Sequence, residues 1–95
     1  MACDDELCAA LEKIEAGLAT KPKADGTVFS EAARHLCVAR DELTAQPGGR
    51  QQLGQVNAII SVVLAGHFPL GEVPWKDLKL ARDWLADLCA RRRAA

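Results

Sequence analysis

This sequence predicts an all-α fold, a compact four-helix bundle or bundle-like domain, and three observations carry that prediction. Apolar residues recur at steps of three and four in four separate segments, the spacing that places them on one side of a helix. Three sets of Pro/Gly breakers divide those segments: Lys21–Gly26, Gln46–Gly49 and Phe68–Pro74. The composition is rich in Ala and Leu, without Tyr and with only 4% aromatic residues, which favours helices over strands. Ninety-five residues make one helical domain, 1–95. A chain of this size buries only about 60–65% of its unfolded surface, so its stability is modest unless it oligomerises.

The first helix is predicted over about Asp5–Thr20. Leu7, Leu11, Ile14 and Leu18 form its apolar stripe, with Glu12, Lys13 and Glu15 off it, and the acids Asp4, Asp5 and Glu6 suit the positive end of the helix dipole. The second is predicted over about Thr27–Gln46, capped by Thr27 or Ser30. Its stripe is Phe29, Ala32, Leu36, Ala39 and Leu43, and Glu31, Arg34, Arg40, Asp41 and Glu42 give it a wet side.

The third, about 50–67, is unusual. Between Arg50 and Glu72 the chain carries no Asp, Glu, Lys or Arg, although 26% of all residues are charged. Without a charged face, this helix is expected to be the most buried of the four. One side carries Leu53, Val56, Ile60, Val63, Leu64 and His67, and a second Ile59 and Val62. The third side, Gly54, Ala58, Ser61 and Ala65, holds only small residues. It is expected to admit a neighbouring helix at close range, which would compensate the roughly 1 kcal/mol of helix propensity that Gly54 forfeits.

The fourth helix starts at or near Pro74, a favourable first-turn residue, and runs to about Arg92. Leu78, Ala81, Leu85, Leu88 and Cys89 share its core side. Trp84 and Leu80 widen the apolar arc at one edge and Trp75 at the other, beyond what one core-facing stripe needs. Two readings account for that excess: a homodimer burying the Leu80/Trp84 edge through a two-fold contact, or Trp84 capping the end of the monomer's own core.

Several function classes are disfavoured by totals and spacing. Twelve basic against thirteen acidic residues, net charge −1 and pI near 6.1 leave no basic excess for nucleic acid. Arg91, Arg92 and Arg93 suit a helix C-terminus. The acidic start has no apolar signal region and no apolar run is long enough to span a bilayer, so a cytoplasmic protein without membrane association is expected. Cys3, Cys8, Cys37 and Cys89 show no CxxC spacing and read as reduced thiols packed as small hydrophobes. No metal or cofactor is expected, because neither His35/Cys37 nor Cys3/Cys8 has a usual ligand spacing on a helix. His67 is placed to cap helix-end carbonyls.

No nucleophile–base–acid arrangement appears, and no catalytic residue is assigned. His35 raises the option of a histidine phosphocarrier, but histidine phosphotransfer domains place Lys three positions after the His and a small residue next. Here those positions hold Val38 and Ala39, and Val38 cannot neutralise a phosphate. Asn57, Ser61 and Trp75 give an alternative, the lining of a small-ligand pocket in a sensor domain. The expected function is a non-enzymatic interaction or regulatory module acting through helix faces, with an unknown protein partner or a second copy of itself, and with Leu80 and Trp84 at the contact.

Overall fold

The computed structural model describes residues 2–21, 26–46, 50–67 and 72–94, with side chains for 5–21, 26–46, 51–66 and 72–91. It contains four helices: α1 (Ala2–Ala19), α2 (Gly26–Ala45), α3 (Arg50–His67) and α4 (Trp75–Ala94). The α-helical content and the element order match the expectation from the sequence. The ends differ by a few residues, each for a local reason. Helix α2 begins at Gly26, so Thr27 and Ser30 both lie inside it and neither is the cap. Pro74 stands one position earlier than expected: its carbonyl accepts the Leu78 N–H at 2.9 Å, which makes it the flanking residue rather than the first helical one.

The molecule measures 38 × 23 × 19 Å. A 20-residue helix is about 30 Å long, so the four helices lie along one axis. They form a ring in which α1 packs on α2, α2 on α3, α3 on α4 and α4 on α1; α1–α2 is the most extensive seam and α3–α4 the thinnest. Cross-helix pairs run in opposite order along α1 and α2, with Lys13 paired to Glu31 and Glu6 to His35. Those two helices are therefore antiparallel.

The core follows the stripes. Phe29, Ala32, Leu36, Ala39 and Leu43 of α2 are all at most 1% exposed, and Leu7 and Ile14 of α1, Val56 and Val63 of α3, and Leu78 and Leu85 of α4 are sealed with them. No polar or charged residue is buried among the described residues. Burial of apolar area stabilises the core, at about 25 cal/mol per Å2 removed from water.

Two expectations need correction. Helix α3 is not the most buried: Gly54, Ala58, Ser61 and Ala65, together with Gln55, Asn57 and Leu64, face solvent. In a ring of four, each helix has two neighbours, so about half of its circumference stays outside. Freedom from charge does not alter that geometry. The most enclosed helix is α2, between the two most extensive seams. Its six buried positions include Ala33, one residue beyond the stripe.

The second correction concerns the cysteines. Cys8 and Cys89 form a disulfide, with Cα atoms 5.9 Å apart and a sequence separation of 81, while Cys37 is a free thiol. Spacing along the chain gave no sign of the pair, because its proximity arises only when the start of α1 meets the end of α4. Closing so long a loop limits the unfolded chain and typically stabilises a fold by about 2–4 kcal/mol.

Phe29 shows how the α1–α2–α3 end is sealed. A methyl group built on Gly17 of α1 would stand 2.5 Å from Phe29 Cε1, and one on Gly66 of α3 would stand 3.2 Å from Cδ2. The ring is clasped by two glycines on opposite helices and meets Trp75 of α4 at 6.4 Å between centroids, tilted by 59°. Close approach to Gly17 therefore needs the missing side chain. Gly54, expected to serve that purpose, has nothing within 4 Å of where its Cβ would be.

Candidate functional site

The thinnest seam of the ring, α3–α4, adjoins an outward α3 surface without a charged side chain among the described residues. Along α3 the small residues Gly54, Ala58, Ser61 and Ala65 form the middle of the outward face, flanked by Gln51, Gln55, Asn57 and Leu64. The regular step of three and four that suggested an inward stripe is real. Its direction is reversed, because the bulkier Val56, Ile59, Ile60 and Val63 bury more area and take the inner side.

Where this face meets α4, a recess of about 200 Å3 opens between Ala58, Ile59 and Val62 on one side and Leu80, Ala81 and Trp84 on the other, with Gln55 and Asp77 at its rim. Leu80 is 58% exposed and Leu64 42%. Trp84 is half-buried, with part of its indole against the core. The two residues expected at an interface, Leu80 and Trp84, thus lie together on one wall of one groove. Among the described residues Asp77 is the only charged group that lines it.

The expected ligand pocket is distributed differently. Asn57 and Ser61 are exposed on α3, and the Ser61 hydroxyl donates to the Asn57 carbonyl at 3.3 Å, the local back-bonding common for a helical serine. Neither lines the recess between α3 and α4. Trp75 is at the first turn of α4, on the flank that faces α1, in a separate hollow with Leu18. The structure does not bring these three residues together.

His35 is half-buried on α2, and its Nδ1 and the Glu6 carboxylate of α1 lie 2.5 Å apart, the ring N–H donating. That bond bridges two helices, and together with Lys13–Glu31 at 2.6 Å it forms a polar margin along the α1–α2 seam. The Glu31 carboxyl is held below its usual range, chiefly by the Lys13 hydrogen bond and charge. Among the described residues no three His, Cys, Asp or Glu side chains are grouped to hold a metal. The side chain of His67 lies outside the described residues, and so does its expected capping role.

Comparison with family models, with curated proteins and with solved structures finds no match for this chain.

Proposed function

We propose that this protein is a small non-enzymatic interaction module that docks through its α3–α4 face, and that the occupant of that face is a second copy of the chain. The observation that carries this reading is an uncharged, outward α3 surface beside a groove walled by Leu80 and Trp84. An exposed helix side without any ion offers no charge pattern by which to select a foreign partner. It also carries both halves of a two-fold contact: protruding Leu64 and Leu80, and a hollow over Ala58. An isologous interface needs such self-complementarity, and small residues along its axis let two helices approach to the short end of the usual 8–10 Å. A stable dimer covers about 800 Å2 per partner. The whole molecule exposes 5663 Å2, so one side of a four-sided bundle is large enough.

Light scattering at micromolar concentration tests this. The expected result is a dimer, with Leu80→Glu reducing it to a folded monomer. A parent protein that is monomeric at those concentrations ends the proposal.

No helix among the described residues is long and apolar enough to cross a membrane. The cytoplasmic placement expected from the sequence is opposed by the Cys8–Cys89 bond, because disulfides persist in oxidising compartments and are rare in the cytosol. Alkylation of the cellular protein before any reduction distinguishes the two. Labelling of Cys37 alongside unlabelled Cys8 and Cys89 supports an oxidising compartment, and labelling of all three supports the cytosol.

A further inference from the structure

A second recess, on the other flank of α4 and independent of the docking face, gathers an unusual set of side chains. Leu18 and Lys21 at the end of α1 and Trp75, Lys76, Lys79 and Arg82 on the first two turns of α4 line a hollow of about 420 Å3, within the roughly 300–1,000 Å3 typical of small-molecule pockets. Among the described residues four cations border it and no acid does. The chain as a whole holds twelve basic and thirteen acidic residues, so one-third of its cations converge on a single opening.

That arrangement is unfavourable when empty. Lys76, Lys79 and Arg82 follow one another at steps of three, which makes them neighbours on the helix surface, and like charges so placed repel. Among the described residues Lys21, Lys76 and Lys79 make no ion pair. Arg82 Nε donates to Asp83 at 2.6 Å, which leaves the other three cations uncompensated.

The hollow also has a rigid apolar wall. Trp75 packs on the core and against Phe29, so its indole is fixed. Lys21 stands over that ring at 6.0 Å, at the outer limit of a cation–π contact. The Lys21 backbone is pinned as well: its N–H donates to the Leu18 carbonyl at 3.3 Å, and Thr20 closes on Gly17 through both its N–H and its hydroxyl. The opening lies at the start of α4, where the helix dipole adds positive potential.

A fixed indole face bordered by four cations matches a ligand with two parts, a flat apolar body that stacks and an anionic group that the lysines reach. We propose that this recess is a binding site for a small aromatic anion, a planar ring system bearing a carboxylate, sulfonate or phosphate. The ring stacks on Trp75 above Leu18, and the anion is held by Lys21, Lys76 and Lys79. Acidic peptides and anionic membranes would engage the charges without needing the indole wall, so the observations favour the small molecule.

Titration of the full chain with 2-naphthoate, followed by NMR and calorimetry, tests the proposal. The expected result is saturable one-to-one binding that shifts the indole N–H resonance of Trp75 and leaves that of Trp84 in place. Neutral 2-naphthalenemethanol and inorganic phosphate are each expected to bind about ten-fold more weakly or worse, as is 2-naphthoate itself to the Lys76→Glu/Lys79→Glu variant. Both substitutions are at exposed positions, and they relieve the repulsion among the cations, so the thermal midpoint of that variant should be no lower than the parent's. Four outcomes overturn the site: no saturable binding, a response centred on Trp84, equal affinity for the neutral analogue or for phosphate, or an undiminished affinity in the doubly substituted protein. Tight binding to phosphatidylserine vesicles with none to naphthoate overturns it in favour of a membrane surface.

Discussion

Gly17, in the last turn of α1, and Gly54, in the second turn of α3, are the same residue in opposite surroundings. A methyl group on Gly17 would collide with the ring of Phe29, whereas one on Gly54 would meet open space. The first belongs to the sealed α1–α2–α3 end, where Phe29 fills the gap between two glycines. The second belongs to the outer side of α3, where nothing within the monomer uses the space. Small residues in a helix therefore have two meanings: a seat for a large side chain already in the fold, or a surface kept flat for something outside it. Only the partner atoms distinguish them.

The sharpest way to probe that contrast is at adjacent positions on α3. Ile60 points inward and Ser61 outward. Ile60→Asp places an unpaired carboxylate against the core and should leave the chain unfolded by circular dichroism. Ser61→Asp should keep the helical spectrum and the cooperative melt while abolishing self-association. A folded Ile60→Asp protein would mean that α3 is rotated from the orientation described.

Removing the side chain that the two glycines clasp is the next largest change. Phe29→Ala should cost about 3–5 kcal/mol in urea denaturation, a large part of the stability of so small a domain. A loss below about 1 kcal/mol would show that this end is less tightly closed than the glycine contacts imply. The glycines themselves should respond with opposite signs. Gly17→Ala gains about 1 kcal/mol of helix propensity but overpacks the Phe29 site by about 1–3 kcal/mol, so a net loss is expected. Gly54→Ala keeps the propensity gain of up to about 1 kcal/mol for the monomer, seen as a raised midpoint in dilute solution.

The smallest effect is expected at the polar margin of the α1–α2 seam. The Glu31 carboxyl is lowered by Lys13, so its pairing contributes above the unfolded carboxylate pKa and is lost as pH falls through the folded one. Lys13→Ala should leave the melting midpoint at neutral pH within error and remove only a slight acid-side slope, since exposed pairs are screened by water and salt. A marked loss at neutral pH would place this seam, rather than the apolar core, at the centre of the stability.

The sequence by itself determined the number, order and approximate limits of the helices, because apolar periodicity and Pro/Gly breakers are local properties of the chain. It also determined the α2 stripe from Phe29 to Leu43 and the core set of α4, since a residue's position around a helix follows from its number alone. It placed Leu80 and Trp84 on an apolar edge, and they do share a groove. Three features were decided only by tertiary structure. The small-residue side of α3 faces out, because orientation depends on how much area the neighbours can cover rather than on lack of charge. Cys8 meets Cys89, and Trp75 joins Lys21 rather than Asn57 and Ser61. Both pairings arise where α1 and α4 lie side by side, a proximity that no spacing within either helix can express.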